Sequence, residues 1–232
     1  MDRAFEAPDL IEVMDEAVRY NRFLIESVAA WSRGAARILD FGAGNGRFCA
    51  VLHERGVAVE AVEPDPGLRR RIAEHGVRAH ESLQAVGPES FDGIYSINVI
   101  EHIEEDAAVL AAFRKRLRPG GRLFLYVPAF PLLFTSNDVR VGHVRRYKRG
   151  PLVRLVRAAG FEVESARYVD SIGFPATLCY RFLGSKQGDL DVRAVRLYDG
   201  LVFPVSRLLD RLLGRVLGKN LLLRATRAPA GG

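Results

Sequence analysis

The feature that most restricts how this chain can fold is an apolar run that ends on an acid and leads into a glycine-rich turn, residues 38–46. A strand, a tight turn and a helix in this order form the nucleotide-binding corner of many α/β folds. A nicotinamide-binding turn has the spacing G-x-G-x-x-G, but here the third glycine is Gly46, and Arg47 occupies the position of the last glycine. The carboxylate of Asp40 would also repel a pyrophosphate and attract a cationic amino group. The turn therefore favours a cationic nucleoside ligand over a dinucleotide, and the alternative is a turn that serves only the fold.

A second short apolar run, residues 57–62, ends on another acid, Glu63, which follows Asp40 by 23 residues. An acid at the end of the second strand can accept hydrogen bonds from both hydroxyls of a ribose. Two further apolar runs, 91–98 and 121–128, have the character of buried strands, and helical segments alternate with the strands. This alternation predicts an α/β fold with a mostly parallel sheet that is covered on both faces.

Together these segments resemble the class I S-adenosylmethionine-dependent methyltransferases. Five runs match the family in family order: LDFGAGNG at 39–46, EPD at 63–65, FDGI at 91–94, NVIEH at 98–102 and LRPGG at 117–121. The resemblance covers residues 15–170. It implies a Rossmann-like sheet of seven strands in the order 3-2-1-4-5-7-6, with the last strand antiparallel.

The resemblance also implies S-adenosyl-L-methionine as the cofactor and S-adenosyl-L-homocysteine as its product. Asp40 and the glycines of the turn would surround the methionine part, Glu63 would hold the ribose, and Pro64 would flank the adenine. The run at 20–23 resembles one bacterial branch of the family and implies that Tyr20 lies near the cofactor. The implied cofactor-binding residues are Tyr20, Asp40, Gly42, Gly44, Asn45, Gly46, Glu63, Pro64, Asn98 and His102.

A basic and aromatic cluster, GHVRRY at 142–147, follows the fifth predicted strand. Loops at the carboxyl ends of parallel strands face the ligand crevice, so this segment is the predicted substrate site. His143 would remove a proton from an acceptor hydroxyl, and the substrate would be bound by Arg145, Arg146 and Tyr147. The alternative is a structural loop in which the arginines pair with acids and His143 caps backbone groups. The segment resembles the same bacterial branch, which is associated with cell-envelope glycans, lipid-linked sugars and secondary metabolism.

A divalent metal is a further option at Glu101, His102 and His143. In ubiquinone-type O-methyltransferases, which this run resembles, a Glu-x-x-Glu-His sequence with a later histidine can hold a metal. Here Asn98 replaces the first acid. One carboxylate and two imidazoles remain, and these are metal ligands in principle. The favoured interpretation assigns no metal and places Glu101 and His102 at the start of a helix beside the cofactor.

The tail of the chain departs from the family pattern. Residues 220–226 have the character of the last strand, which leaves 170–219 as a helical insertion before it. Seven apolar residues in this insertion repeat at helical spacing: Val205, Leu208, Leu209, Leu212, Leu213, Val216 and Leu217. Such a stripe packs on the domain or on a second subunit, or it lies on an anionic membrane as part of a basic amphipathic helix at 200–218.

Composition predicts one domain over residues 1–232, with an N-terminal helix at about 9–31. With 48% hydrophobic residues, the chain can bury one large core. Its net charge of +6 equals the excess of ten Lys and Arg over four Asp between Arg181 and Arg227. No aromatic stripe accompanies these charges, so nucleic acid is not the expected partner. The two cysteines lack metal spacing, no apolar run reaches 18 residues, and the first residues lack a secretory pattern. These features predict a cytoplasmic location. If the basic helix binds the membrane, the protein would be peripheral to its inner face.

The sequence therefore predicts an enzyme that transfers a methyl group, preferentially to oxygen, on a small-molecule or lipid-linked acceptor. The rival hypothesis is a catalytically inactive cofactor-binding subunit that regulates a partner. A dehydrogenase is disfavoured by Arg47. A homodimer stays open as the oligomeric state.

Overall fold

The computed structural model of the protein describes residues 13–183 and 192–228. Within this part of the chain, seven strands form one sheet in the order β3-β2-β1-β4-β5-β7-β6. The strands are β1 (Ile38–Phe41), β2 (Val59–Val62), β3 (Arg78–His80), β4 (Phe91–Ile97), β5 (Leu117–Pro128), β6 (Phe161–Val169) and β7 (Asn220–Arg227). Only β7 runs antiparallel to its neighbours, β5 and β6. The predicted seven-stranded Rossmann-like sheet is confirmed.

Helices connect the strands and cover both faces of the sheet. They are α1 (Val18–Trp31), α2 (Arg47–Glu54), α3 (Pro66–Glu74), α4 (Asp106–Arg116), α5 (Ser136–Arg140), α6 (Arg149–Ala158), α7 (Gly173–Leu183), α8 (Val192–Leu197) and α9 (Phe203–Leu213). Neighbours in β1 show that both faces are covered, because Ile38 and Leu39 are fully buried yet belong to separate apolar cores. Side chains of a strand point alternately to opposite faces, so continuous apolar runs are expected in such a sheet.

One strand begins earlier than the sequence predicts. The prediction began β5 at Arg122, but Leu117 already pairs with Phe91, and the register shifts before Gly93 pairs with Arg122. Gly93 is tightly enclosed, because a Cβ placed there would lie 2.7 Å from the Trp31 ring. The irregularity lets the chain enter the sheet directly from α4, without the separate turn that the Pro-Gly-Gly run predicts.

The segment between β6 and β7 is helical, as predicted, and two buried carboxylates hold it to the sheet. It contains α7, α8, a π-helical turn (Tyr198–Val202) and α9. Asp210 accepts hydrogen bonds from the backbone N–H groups of Asp170 and Ser171, at 3.0 and 2.8 Å. Asp170 in turn accepts bonds from the hydroxyls of Tyr198 and Ser206, at 2.6 and 2.7 Å. These bonds satisfy buried polar groups that would otherwise be costly.

The same insertion determines where α1 begins. The carboxylate of Asp199 accepts the backbone N–H groups of Arg19 and Tyr20, each at 2.8 Å. A carboxylate on the free N–H groups of a first helical turn stabilises a helix start. A helical turn at residues 13–15 precedes α1, and residues 9–12 lie outside the described part, so the start predicted at about residue 9 stays a prediction. A residue 180 positions away supplies this cap, and no local pattern reveals it.

The apolar stripe on α9 faces outward. The buried side chains of this helix are Phe203, Ser206 and Asp210. The exposed ones include Val205 (51%), Leu208 (59%), Leu212 (77%) and Val216 (67%), the last just beyond the helix. The prediction that this stripe packs on the domain is wrong for these side chains, because hydrogen bonding by Ser206 and Asp210 turns the polar side inward. No helix of the described residues is long and apolar enough to cross a membrane.

Candidate functional site

The glycine turn between β1 and α2 adopts a conformation that needs glycine. Gly42, Gly44 and Gly46 all have positive φ angles, of 77, 57 and 82°. A Cβ on Gly42 would lie 2.5 Å from Val99, and one on Gly46 would lie 2.7 Å from Ile72. A Cβ on Gly44 would meet nothing within 4 Å. The outer glycines are therefore required for packing, whereas the backbone of Gly44 faces open space where a ligand can approach.

Glu63 joins this turn to the end of β2. Its carboxylate is 8% exposed and accepts the backbone N–H groups of Gly44, at 2.8 Å, and Asp65, at 3.0 Å. Burial raises the pKa of Glu63, and the two backbone hydrogen bonds oppose that shift. The carboxylate is thus held at the edge of the turn, where an acid for a ribose diol was predicted.

Asp40 is a buried carboxylate with an unsatisfied oxygen. It is 3% exposed, and its Oδ2 has no hydrogen-bond partner. Burial, with a smaller contribution from the nearby charge of Glu63, raises its pKa to about 7. An unpaired buried acid of this kind is stabilised by a proton or by a cationic group. The residues around the turn therefore fit the cationic amino acid part of S-adenosylmethionine.

The N-terminal segment closes over the turn through Asp15. The guanidinium of Arg47 contacts the Asp15 carboxylate at 2.6 Å, and the side-chain amide of Asn45 donates to it at 3.2 Å. The Asn45 carbonyl also accepts the backbone N–H of Arg47, at 3.2 Å. The arginine that replaces the dinucleotide glycine thus anchors the chain that precedes α1, and the Asn45 side chain supports the turn.

The remaining predicted cofactor residues lie near the carboxyl edge of the sheet. Among them, Pro64 is exposed just after β2. Asn98 has a φ of 53° and donates its backbone N–H to Tyr126, at 2.8 Å. The ring of Tyr20 contacts those of Tyr126 and Phe203, with centroids 6.1 and 5.5 Å apart. Burial raises the pKa of Tyr20 to about 12, so this phenol stays neutral. Phe203 of the insertion thereby helps to place Tyr20 beside the crevice.

His143 is held by a carboxylate that was given no role from the sequence. Its Nδ1 lies 2.6 Å from Oδ1 of Asp138, which is 1% exposed. Burial would raise the pKa of Asp138, but hydrogen bonds from His143 and Arg146 outweigh it and hold the pKa well below its usual range. The Thr-x-x-Asp spacing from Thr135 predicts only a helix start, and the structure contains that capping box as well.

The arginines and the tyrosine of the cluster bond within the protein. Arg146 is 6% exposed and makes a forked contact with Asp138, at 2.8 and 2.9 Å. Arg145 and the Tyr147 hydroxyl each reach Asp106, both at 2.8 Å. These bonds match the structural-loop alternative for the arginines, and a role of the three residues in binding substrate stays a prediction. Arg146 supports the carboxylate that orients His143.

A buried carboxylate, two imidazoles and the glycine turn form one continuous site. Glu101 is fully buried, neither of its oxygens has a hydrogen-bond partner, and Oε1 lies 3.7 Å from Nε2 of His143. The rings of His102 and His143 meet edge to face at 4.7 Å. One ligand atom each from Glu101, His102 and His143 can be chosen within 4.8 Å of one another. Val99 links this cluster to Gly42, so the histidines lie near the cofactor turn.

The ionisation of this cluster follows from its burial. Burial raises the pKa of Glu101 to about 8 and, with the charge of His143, lowers the pKa of His102 to about 4. His102 is therefore neutral at pH 7, and Glu101 is mostly protonated. A neutral imidazole and a poorly solvated carboxylate can share a proton or ligate a cation.

Solved structures of S-adenosylmethionine-dependent methyltransferases share this fold. One from Thermotoga maritima has a TM-score of 0.65 with 16% identity and covers 96% of each chain. Phosphoethanolamine N-methyltransferase 2 of Haemonchus contortus, solved with S-adenosyl-L-methionine, has a TM-score of 0.55 with 19% identity and covers 92% of this chain and 57% of its own. The fold and the turn define a class I methyltransferase, the class that uses this cofactor.

The sequence match identifies the family. A profile described as a methyltransferase domain matches residues 14–166, which is most of the chain, so the chain belongs to the methyltransferase domain family. Ubiquinone biosynthesis O-methyltransferase of Xylella fastidiosa (strain M23) is 35% identical over 104 residues, covering 40% of this chain and 42% of that protein. The same-named protein of Xanthomonas oryzae pv. oryzae (strain PXO99A) is 32% identical over 100 residues, covering 39% and 42%. The chain thus matches less than half the length of these curated relatives.

Proposed function

We propose that this methyltransferase methylates a hydroxyl of a small-molecule or lipid-linked acceptor, with His143 as the general base. The observation that carries the proposal is the short contact between His143 Nδ1 and the buried carboxylate of Asp138. That contact lies next to Glu101 and His102, which Val99 connects to the glycine turn. A base is thus positioned close to the cofactor crevice, where an acceptor has to lie.

The Asp138 carboxylate decides how His143 can act. It accepts a hydrogen bond from the Nδ1–H group of His143, which leaves Nε2 as the basic nitrogen. Its charge also stabilises the imidazolium that forms when Nε2 takes a proton from the acceptor. The forked bond from Arg146 keeps Asp138 ionised and fixes its orientation. Arg146 is therefore a positioning residue in this mechanism.

The turn residues have the complementary task of holding the cofactor. Glu63 would accept hydrogen bonds from the ribose hydroxyls. Asp40 would face the amino group of the cofactor, which would give its unpaired Oδ2 a hydrogen-bond donor. The bound cofactor supplies an electrophilic methyl group on a sulfonium. The protein then needs to place the acceptor oxygen in line with that group and to remove its proton.

The names of the curated relatives support oxygen as the methylated atom. Both are called O-methyltransferases, and this chain matches 42% of the length of each. An amine acceptor that binds neutral would not require a base, so the Asp138-supported histidine also favours a hydroxyl. A catalytically inactive cofactor-binding subunit is the rival. That role would need the glycine turn but would place no demand on the Asp138–His143 contact.

The direct test supplies the protein with S-adenosylmethionine that carries an isotope-labelled methyl group. A mixture of bacterial lipid and small-molecule extracts provides the acceptors, and mass spectrometry detects the product. We expect one hydroxyl-bearing compound to gain the label in proportion to enzyme. Cofactor binding by calorimetry without any labelled product, across extracts from several growth conditions, would support the inactive subunit.

A divalent metal is a second candidate at this site, because the carboxylate of Glu101 is buried without a hydrogen-bond donor. Glu101, His102 and His143 would supply one carboxylate and two imidazoles as ligands. Asp138 would then hold a metal-bound His143, an arrangement common around metal-ligating histidines. A metal at this position would orient the acceptor oxygen and lower its pKa.

We also propose that the exposed leucine face of α9 rests on an anionic membrane at the cytoplasmic side. Leu208 and Leu212 project from this face at 59% and 77% exposure, and Leu201 adds a third apolar side chain at 66%. Arg207, Arg211 and neighbouring cations give the segment a positive charge. An exposed apolar face beside basic residues is typical of a helix that lies in a membrane interface. A second copy of the chain is the competing occupant.

We expect the protein to sediment with phosphatidylglycerol vesicles at low salt and to be released at high salt. Replacing both Leu208 and Leu212 by serine should weaken vesicle binding about tenfold or more, because two exposed side chains no longer enter the apolar layer. Both are exposed, so folding should be unaffected. Val139→Ser, at an equally exposed site on α5 (68%), is the control. Absence of vesicle binding, together with a concentration-dependent dimer that the double variant abolishes, would assign the face to a second subunit.

A further inference from the structure

A groove with a volume of about 580 Å³ lies on the sheet face that α1 and α9 cover. Its floor is formed by β6 and β7, through residues such as Ser165, Arg167 and Arg224. Phe23 lines it from α1, and Arg207 and Arg211 line it from α9. None of its lining residues belongs to the glycine turn or to the Asp138–His143 pair. The groove is therefore separate from the site of methyl transfer.

The charge of this groove is one-sided. Four arginines line it, Arg167, Arg207, Arg211 and Arg224, against the single carboxylate of Asp210. That carboxylate is already used, because it accepts two backbone N–H groups and pairs with Arg207 at 2.6 Å. A shallower neighbouring depression shares Arg207 and adds two further arginines from α1. The lining thus carries an excess of positive charge that no lining residue neutralises.

The arginines on the groove floor have vacant hydrogen-bonding capacity. Nε of Arg224 is buried without a hydrogen-bond partner. Burial and the like charge of Arg167 lower the pKa of Arg224, and the carboxylate of Glu164 opposes that shift. Within the described residues, no ion pair is formed by Arg167, Arg211 or Arg224. Arg167 and Arg211 are exposed and Arg224 is partly buried, so the cost of an unpaired donor falls on Nε of Arg224.

The walls hold the groove open. The guanidinium of Arg207 lies over the ring of Phe23, 3.8 Å from its centroid, which ties α9 to α1 across one side. The guanidinium of Arg224 lies 5.9 Å from the centroid of the Phe124 ring, which belongs to the neighbouring strand β5. These contacts place the planar faces of the guanidinium groups on aromatic rings and leave N–H edges for a ligand.

We propose that this groove is a binding site for a phosphate-bearing group, a phosphate or a diphosphate, held by Arg167, Arg211 and Arg224. The forked N–H edges of arginine match the geometry of phosphate oxygens, and several arginines around one cavity neutralise more than one negative charge. A soluble phosphate compound and a lipid headgroup share this chemistry. Leu208 lies on the rim of the groove and is 59% exposed, so an acyl or prenyl chain attached to the phosphate has an apolar surface to follow.

The test compares the intact protein with an Arg167→Gln/Arg224→Gln variant, using inorganic pyrophosphate as the probe. Arg157→Gln, at an exposed arginine on α6 outside the groove, is the control. Titration calorimetry at constant ionic strength should show saturable binding to the intact protein and the control. In the double variant the binding should be roughly ten- to hundredfold weaker, because two charged donors are lost. Without pyrophosphate, the double variant should melt at the same or a higher temperature, since two like charges have been removed.

Vesicles then distinguish the two sources. Vesicles of phosphatidylcholine with added phosphatidic acid present a phosphomonoester headgroup, and plain phosphatidylcholine is the blank. Binding to phosphatidic acid that pyrophosphate displaces and the double variant lacks would assign the groove to a lipid phosphate. Pyrophosphate binding without that vesicle binding would assign it to a soluble phosphate compound. Equal pyrophosphate affinity in the double variant, or no saturable binding to the intact protein, would overturn the proposal. The groove does not rest on the proposed methyl transfer, so neither result depends on finding the acceptor.

Discussion

Replacing His143 by alanine is expected to lower the turnover number for methyl transfer by about 10²-fold or more. The change removes the imidazole that is proposed to take the acceptor proton. Affinity for S-adenosylhomocysteine should hardly change, because the glycine turn and Glu63 are untouched. Steady-state kinetics with the labelled acceptor give the turnover number, and titration calorimetry gives the affinity.

Two further variants separate a base from a merely structural histidine. Asp138→Asn removes the charge that orients His143, so turnover should fall while affinity for S-adenosylhomocysteine hardly changes. His75→Ala, at an exposed histidine beyond α3, should behave as the unaltered protein. A fall in cofactor affinity as large as the fall in turnover would instead indicate damage to the crevice and would contradict the proposed role.

The His143→Ala variant also distinguishes a general base from a metal ligand. If Glu101, His102 and His143 bind a divalent ion, a chelator should abolish activity and the ion should restore it. In His143→Ala the concentration of metal required should then rise steeply. If His143 acts only as a base, the chelator should have no effect. Full activity in His143→Ala, combined with insensitivity to chelator, would eliminate both roles.

Replacing Glu63 by alanine is expected to weaken binding of S-adenosylhomocysteine by roughly 1 to 3 kcal/mol, about five- to 150-fold. The ribose hydroxyls would lose a charged acceptor. The backbone N–H groups of Gly44 and Asp65 would lose theirs as well, so the turn should also become less well ordered. Titration calorimetry measures the affinity, and thermal unfolding without ligand shows the separate contribution of the two backbone bonds.

Glu54→Ala is the matched control, because Glu54 is an exposed acid at the end of α2 that lies away from the glycine turn. Its affinity for S-adenosylhomocysteine should equal that of the unaltered protein. NAD and NADP should show no measurable binding to either protein. Arg47 occupies the position of the last dinucleotide glycine, and its guanidinium is paired with Asp15. Tight dinucleotide binding, or unchanged affinity in Glu63→Ala, would contradict the assignment of this turn.

Local sequence patterns were sufficient for the sheet and for the cofactor turn. Strand β4 begins at Phe91, where its apolar run begins, and ends within one residue of the end of that run. The glycines of the turn could be predicted because a positive φ at three nearby positions excludes most other residues. Such features depend on neighbouring residues alone, and a pattern of a few residues therefore carries them.

The contacts made by the GHVRRY cluster could not be predicted from local sequence patterns. The sequence places two arginines beside His143, but it does not show that Arg146 reaches Asp138 or that Arg145 reaches Asp106, 39 residues earlier. The charge of an arginine allows it to bind a substrate phosphate or to pair with a carboxylate of the protein. Only the packing of α4 and α5 against this segment decides between them.

The insertion shows the same division most clearly. From the sequence one can derive that α9 has an apolar and a polar face, and that the chain must leave β6 and return as β7. Which face turns inward depends on the backbone N–H groups at 170 and 171, which are buried at the sheet edge and need an acceptor. Asp210 satisfies them and Ser206 supports Asp170, so the polar face is buried and the leucines remain exposed. Helical periodicity is a local property and can be predicted, whereas the pairing of buried polar groups far apart in the chain exists only once the tertiary structure brings them together.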